Sequence, residues 1–280
     1  MGWLSAQDGR LKAAAFFHGN RRIREYAVAF QTGCQRSRIE CELLPVGRRT
    51  DADVIWLYGL GPAMPTFIDH PGAVRIIGDK GYFAEYASKP KYLRVSINAQ
   101  QPDKHLRLAH HPVDRWGTLQ ISVQPVSQRG EYILICGIGE KQSKLQGRPY
   151  GSWERETYWK LRAATDRPIF VREKPKQARI DGVPRLPDMP ASAAIRGAWS
   201  VVCLTGNIGA DCIVEGVPVI AQAGPGSVYY HSDLSEIDTI NPISAEARIS
   251  ALSDIAYWQW TKEEIARGRL WQNLRAEGIF

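Results

Sequence analysis

The amino-acid sequence predicts an α/β protein of two domains, each built around a parallel β-sheet, with helices at the C-terminus. Short apolar runs that end in polar or glycine-rich turns alternate with helical stretches, which is typical of β-α-β units. After a segment that contains Pro125 and Gly130, the pattern begins again at Tyr132. The predicted domains are therefore residues 1–127 and 128–280.

In the N-terminal half, four apolar runs predict strands over residues 11–17, 54–58, 74–77 and 92–97. A helix rich in arginine is expected over residues 22–32. Each strand ends in a polar or glycine-rich turn, and His18 and Asp79 lie in two of these turns. Because the carboxyl ends of parallel strands share one edge of the sheet, functional loops are expected there.

In the C-terminal half, the run from Val201 to Leu204 predicts a buried strand, and a second strand is expected from Pro218 to Ala221. A polar turn and a short helix connect them. Asn207 is suited to the N-cap of that helix, and Gly216 to the left-handed residue that ends it. Because the turn residues are small, the N-terminus of the helix is bare, and its N–H groups form a candidate anion site.

The C-terminal end is predicted to be helical. Ser244 is placed to cap a helix that runs to about residue 258, and Thr261 with Glu264 forms a capping-box pattern. Tryptophans at helical spacing usually lie in the core, which is the expectation for Trp258, Trp260 and Trp271. Stacking on nucleic-acid bases is the alternative.

Composition narrows the class of protein. With 280 residues, 44% of them hydrophobic, the chain is long enough for one large core or two modest ones. We expect no membrane association, because no apolar run approaches the length that spans a bilayer. The N-terminus has no hydrophobic signal core, and five cysteines occur without a C-x-x-C pair, so reduced thiols and a cytoplasmic location are expected.

The net charge of +7 is confined to the N-terminal half. Residues 1–130 contain 18 Lys/Arg and 11 Asp/Glu, whereas residues 131–280 contain 18 of each. Such a balance favours a polyanionic partner such as DNA, a lipid-linked phosphate or an acidic glycan. A solvated basic surface with no partner is the alternative.

Several familiar motifs are absent or poorly placed. Asp51-Ala-Asp53 precedes a strand, at the edge opposite the predicted loops, and is expected to be a surface turn. His110-His111 has no spaced carboxylate or cysteine partner, so no metal site is predicted. Gly137-Ile-Gly139 lacks the rest of a dinucleotide fingerprint, and neither a P-loop nor a G-x-S-x-G motif occurs.

The motif Thr205-Gly-Asn, followed by Glu215-Gly-Val-Pro-Val219, resembles the donor-site element of GT-B glycosyltransferases. It is most similar to the capsule-polysaccharide type and to a group of bacteriophage proteins. Residues 132–139 look like the first strand and glycine turn of that domain, and residues 168–175 like the strand with its basic-Pro motif. The histidine usual in that motif is missing here, so a different mode of donor recognition is expected. Residues 78–83, 94–98 and 257–260 are shared with the phage group.

The resemblance implies two Rossmann-like domains with a central cleft. It further implies metal-independent transfer from a UDP- or GDP-linked sugar, with no other cofactor. Donor binding is then expected at Gly137, Ile138, Gly139, Arg172, Lys174, Thr205, Gly206, Asn207, Ile208 and Glu215. Glu215 is the candidate for the ribose hydroxyls, and a residue that merely ends a surface helix is the alternative.

Transfer by this chemistry needs a base that takes the proton of the acceptor hydroxyl. Asp79 is the first candidate and His18 the second, and both follow predicted strands. An Asp that only caps a turn is the alternative for Asp79. For the acceptor, the basic residues expected to contact phosphates are Arg21, Arg22, Arg24 and Lys91.

Three functions are compatible with the sequence. The first is a glycosyltransferase that modifies a hydroxymethylated pyrimidine in bacteriophage DNA. The second is the same chemistry on a surface or capsular glycan. The third is a GT-B-like protein that binds nucleotide without turnover. The oligomeric state is not predicted.

Overall fold

The computed structural model describes residues 11–84, 86, 91–107, 110–126, 130–230 and 233–280. The strands among them are β1 (Lys12–Phe17), β2 (Glu40–Pro45), β3 (Val54–Tyr58), β4 (Val74–Lys80), β5 (Tyr92–Ile97), β6 (Tyr132–Cys136), β7 (Ile169–Arg172), β8 (Ala198–Cys203), β9 (Val219–Ala221) and β10 (Gln259–Thr261).

The α-helices among these residues are α1 (Arg21–Arg36), α2 (Met64–Asp69), α3 (Asp103–Leu106), α4 (Asp114–Thr118), α5 (Gly139–Leu145), α6 (Ser152–Ala164), α7 (Ala191–Arg196), α8 (Ile208–Glu215), α9 (Pro225–Tyr229), α10 (Ala245–Tyr257), α11 (Lys262–Ala266) and α12 (Arg269–Ala276). A short 3₁₀ helix covers Leu234–Glu236. Within the described ranges, no helix combines the length and the apolar character needed to cross a membrane.

The chain divides into two compact units. Unit 1 contains the described residues of 11–84, 91–102 and 258–280, and unit 2 contains Tyr86 and those of 103–257. This division differs from the predicted domains 1–127 and 128–280, since residues 103–126 belong to unit 2 and the C-terminal segment to unit 1. Residues 127–129, where the predicted boundary falls, lie outside the described part.

Hydrogen bonds attach residues 103–126 to unit 2. The carboxylate of Asp103 accepts from the Gly224 N–H at 2.9 and 3.0 Å, and the His111 N–H donates to Asp254 at 2.8 Å. Both contacts join residues more than a hundred positions apart. Local sequence patterns carry no signal for such pairings, so proximity along the chain was a poor guide to the boundary.

Unit 1 contains a six-stranded sheet in the order β10-β5-β4-β3-β1-β2. Strands β1 to β4 are parallel, while β5 runs antiparallel to β4, and β10 antiparallel to β5. The prediction that residues 92–97 end at the shared edge of the loops was therefore wrong. The physical reason is the short connection over residues 81–91, since a parallel return needs a crossover of a dozen or more residues.

The core of unit 1 contains the predicted tryptophans. Trp258, Trp260 and Trp271 are at most 3% exposed. The Trp271 ring packs on Phe30 of α1 at a centroid distance of 5.4 Å. The predicted capping box at Thr261 is present, with hydrogen bonds in both directions between Thr261 and Glu264. The three tryptophans thus lie in the hydrophobic core of unit 1, which confirms the core prediction.

Unit 2 contains a four-stranded parallel sheet in the order β7-β6-β8-β9. This confirms the predicted strands of the C-terminal half. The helix predicted between two of them is α8, which ends at Gly216 in the left-handed conformation, with φ of 71°. Asn207 is the N-cap, but its side chain makes no capping hydrogen bond, because its backbone is helical (φ −73°, ψ −21°) and not extended.

Close packing of α1 on α11 predicts that Gly33 tolerates no side chain. A Cβ added to Gly33 would collide with the carbonyl oxygen of Ile265. We expect Gly33→Ala to lower the free energy of unfolding by about 1–3 kcal/mol, as overpacking does. Gly117 of α4 is the matched control, because a Cβ there meets no atom within 4 Å. Gly117→Ala should be neutral or slightly stabilising in the same denaturant titration, and equal losses for both variants would contradict this packing.

Candidate functional site

The donor-binding residues predicted around three strands lie along one edge of the sheet of unit 2. Strand β6 lies between β7 and β8, with Cys136 opposite both Arg172 and Cys203. The three strands are parallel, so their carboxyl ends lie side by side. This carboxyl edge brings together the glycine turn over residues 137–139, the basic residues after β7, and the turn over residues 205–208.

At the glycine turn, the backbone N–H groups are mostly committed to the protein itself. The Gly137 N–H donates to the carbonyl oxygen of Arg172 at 3.0 Å, and the Ile138 N–H donates to Glu154 Oε1 at 2.8 Å. The Glu140 N–H donates to Gln177 Oε1 at 3.0 Å. These N–H groups are therefore not available to a phosphate.

The N-terminus of α8 has the opposite character. The N–H groups of Gly206, Ile208 and Gly209 have no hydrogen-bond acceptor in the described part of the chain, as expected at the start of a helix. The hydroxyl of Thr205 is buried and likewise lacks a partner among the described residues. These donors and the positive end of the helix dipole make this turn the point on the edge best suited to an anion.

Two cations lie close to the centre of the same edge. Burial raises the pKa of the Cys136 thiol to about 12, while the positive charges of Arg172 and Lys174 act in the opposite direction and Asp211 adds to the rise. Both cations are therefore near the carboxyl end of β6. A thiol with this pKa stays protonated near pH 7, which leaves Cys136 a poor nucleophile.

Glu215 has partners other than those predicted. It is the last residue of α8, about 10 Å along the helix axis from Ile208, and only 1% exposed. Both of its carboxylate oxygens accept from Arg196 Nη1 at 3.1 Å, and the Tyr86 hydroxyl donates to Oε1 at 2.9 Å. Its carboxylate thus takes part in a buried hydrogen-bond network at the far end of the helix. The ribose contact stays a prediction.

A second cluster of polar residues lies in unit 1, at the carboxyl ends of three neighbouring parallel strands. His18 follows β1, Tyr58 ends β3, and Asp79 lies near the end of β4. Asp79 Oδ2 pairs with Arg94 Nη2 at 3.0 Å, and Oδ1 accepts from the Lys80 N–H at 2.7 Å. The His18 Nε2 atom is buried and has no hydrogen-bond partner in the described part. Both predicted bases lie at this edge. Asp79 has hydrogen-bond partners on both carboxylate oxygens, whereas His18 Nε2 has none among the described residues.

The predicted acceptor residues lie at this edge too. Arg21, Arg22 and Arg24 begin α1, whose first turn contains no acidic residue. Arg21 pairs with Glu25 at 3.1 Å, while the guanidinium groups of Arg22 and Arg24 lie over aromatic rings of unit 1. Lys91 precedes β5, and because β5 is antiparallel to β4, the start of β5 lies beside the end of β4. The reversed strand thus brings Lys91 to the edge that contains Asp79.

The two sequence motifs considered as metal sites contain residues that pair with other side chains of the protein. Asp51 and Asp53 lie at the start of β3, where Asp53 accepts from the Lys12 N–H at 2.9 Å and Asp51 pairs with the Lys12 amine at 3.4 Å. His111 Nδ1 faces Asp254 Oδ1 at 3.2 Å. Among the described residues, no group of three or more His, Cys, Asp or Glu side chains could hold a metal ion.

Some contacts that build the two edges gave no signal in the sequence. Glu154 lies within α6 and is fully buried, Gln177 lies in a loop, and Arg94 lies within β5. Each acts through a partner at least 15 positions away along the chain: Ile138, Glu140 and Asp79 respectively. Only the fold reveals these pairs, because none belongs to a motif with fixed spacing.

Comparison with solved structures identifies the fold. The KpsC β-Kdo 2,7 transferase of Thermosulfurimonas dismutans superposes with a TM-score of 0.56 at 12% identity, covering 92% of this chain and 98% of that one. The β-Kdo 2,4 transferase of the same organism's KpsC gives a TM-score of 0.47 at 10% identity, covering 87% and 90%. The first of these likenesses, with the TM-score of 0.56, shows that the chain has a GT-B-type fold, as the resemblance implied. No family model and no curated protein matches the sequence.

The network around Glu215 leads to a prediction about stability. Glu215→Gln removes the charge that binds Arg196, and we expect the free energy of unfolding to fall by about 1–3 kcal/mol, because the side chain is buried. Nucleotide affinity should not change. Glu156→Gln is the control, since Glu156 forms only exposed ion pairs with Arg148 and Lys160. A variant of normal stability whose nucleotide affinity is reduced would instead support the ribose contact.

Proposed function

We propose that the protein is a glycosyltransferase that takes its sugar from a nucleotide sugar. The observation that carries the proposal is the GT-B-type fold, matched over nearly the whole length of a Kdo transferase. The alternative of a GT-B-like protein without turnover has the same fold but needs no proton acceptor. The buried and unpartnered His18 Nε2, within the described residues, favours an enzyme.

In this proposal the donor phosphates bind at the carboxyl edge of unit 2. The open N–H groups at the start of α8 and the charges of Arg172 and Lys174 hold the diphosphate. These donors are fixed before the reaction, so they stabilise the negative charge that develops as the nucleotide leaves. Metal independence also belongs to the proposal, with these groups in the place of a divalent cation.

Chemically, a base takes the proton of the acceptor hydroxyl as its oxygen attacks the anomeric carbon, and the nucleoside diphosphate departs with the electron pair of the broken bond. We assign the base to His18. The carboxylate of Asp79 is already engaged by Arg94 and the Lys80 N–H, which suits a role in holding the end of β4. His18 has a ring nitrogen that no described residue engages.

The donor assignment predicts a loss of nucleotide binding in Arg172→Ala. Losing one charge-assisted hydrogen bond to phosphate typically costs about 1.5–3 kcal/mol, so we expect the affinity for the preferred nucleotide to fall about tenfold or more. Calorimetry with UDP, GDP and their sugar conjugates measures this. Arg162→Ala is the control, because Arg162 lies on α6 and donates only to the Arg167 carbonyl among the described residues. Equal affinities in both variants would refute the assignment.

For the acceptor, we propose a glycan that carries negative charge. The support is the cluster of cations at the start of α1 and at Lys91, together with the confinement of the net charge to residues 1–130. Exposed cations attract anionic substrates over a distance of several ångströms and raise the rate of association.

Bacteriophage DNA with a hydroxymethylated pyrimidine is the second candidate acceptor. The observation that favours it is the same first turn of α1, where three arginines and the absence of acidic residues suit contacts with successive phosphates. A target base in a duplex would have to leave the stack to be modified.

Transfer assays distinguish the acceptors and test the base. Purified protein should transfer sugar from one member of a nucleotide-sugar panel, including activated Kdo, to an acidic glycan. His18→Gln should lower the rate by about 10²–10⁴-fold without changing donor affinity, whereas His110→Gln, at an exposed position, should change neither.

Transfer to hydroxymethylated DNA alone would favour the second candidate. Full activity in His18→Gln combined with loss of activity in Asp79→Asn would reassign the base. No transfer to either acceptor with any donor, despite nucleotide binding, would leave the non-catalytic alternative.

A further inference from the structure

The connection between β7 and α7 surrounds a cavity of about 370 Å³ in unit 2. The lining is strongly basic and has an apolar wall formed by Leu186, Pro187 and Met189. The charged residues of the lining are Arg172, Lys174, Lys176, Arg179, Arg185, Glu173 and Asp188. Lys176 and Arg179 did not belong to the predicted donor site.

The two carboxylates of this lining both pair with Arg185, which leaves four further cations in the lining. Arg185 pairs with Glu173 at 3.2 Å and with Asp188 at 2.6 Å. Lys176 and Arg179 have neither an ion pair nor a hydrogen-bonding partner within the described chain. The cavity therefore contains an excess of positive charge that the protein does not balance.

The loop that presents these cations is fixed to the body of unit 2. Gln177 accepts from the Glu140 N–H at 3.0 Å, and the Ala178 carbonyl accepts from the Tyr150 hydroxyl at 2.6 Å. The Ile180 N–H donates to Glu173 at 3.2 Å. Lys176 itself has a left-handed backbone, with φ of 66°. Such conformations are sparsely populated and concentrate at sites that clamp ligands.

We propose that this cavity binds a phosphate group, with Lys176 and Arg179 as its ligands beside Arg172 and Lys174. A phosphate or diphosphate fits better than a carboxylate, because it brings more than one negative charge to a lining that contains five Lys/Arg and two Asp/Glu. Ammonium and guanidinium groups are the usual partners of phosphate oxygens. The proposal does not depend on glycosyl transfer, because it concerns anion binding by the protein alone.

The cavity shares Arg172 and Lys174 with the proposed donor site and extends that site away from α8. It lies at the end of β7, two strands from β8 in the sheet, which corresponds to about 10 Å. The phosphate could thus come from a nucleotide that extends along the edge, or from a separate phosphate ligand. Both sources share one chemistry.

Inorganic pyrophosphate is the probe, measured by calorimetry at two salt concentrations. We expect the double variant Lys176→Gln/Arg179→Gln to bind it at least about tenfold more weakly than the wild type, since each lost charge-assisted contact contributes substantially to affinity. Arg269→Gln/Arg275→Gln removes the same charge from exposed positions of α12 in unit 1 and is the control. Its affinity for pyrophosphate should equal that of the wild type.

The variants should fold, because Lys176 and Arg179 are exposed, and their thermal unfolding confirms this. Competition between pyrophosphate and the preferred nucleoside diphosphate would assign the site to the nucleotide, and simultaneous binding would assign it to a separate phosphate; both results support the site. No detectable binding by the wild type, or an equal loss in the two double variants, would overturn it. Neither result bears on whether sugar is transferred.

Discussion

The hydrogen bonding of backbone N–H groups at the carboxyl edge of unit 2 constrains where an anion can bind. Each buried N–H must find an acceptor in the protein, in water or in a ligand. At the turn after β6 the protein supplies these acceptors through Arg172, Glu154 and Gln177. At the start of α8 the N–H groups of Gly206, Ile208 and Gly209 have no acceptor within the described chain, so they are open to a ligand.

Much of the fold could be predicted because local signals agree with the tertiary structure. The strands at residues 54–58 and 132–136 are nearly continuous apolar runs, as expected of parallel strands buried on both faces. The capping box at Thr261 and the left-handed Gly216 have local causes, and both are present. By contrast, β2 alternates between exposed and half-buried residues at the edge of its sheet, and its weak pattern gave no prediction.

The candidate site was less predictable, because the role of a charged side chain depends on its partners. Glu215 and Glu154 illustrate the difference. Glu215 belongs to the recognised motif, but Arg196 and Tyr86 occupy its carboxylate. Glu154 belongs to no motif, yet its Oε1 holds the glycine turn through Ile138. The sequence placed Glu215 on a helix, but it could not show which carboxylate faces the edge.

The hydrogen bond of Glu154 also limits what the end of β6 can offer to an anion. Its side chain is fully buried, and its Oε2 has no hydrogen-bond partner among the described residues. Because its Oε1 already accepts from the Ile138 N–H, that donor is not open to an anion at the end of β6. Anions are instead favoured on either side, at the open N–H groups of α8 and at the cations that follow β7.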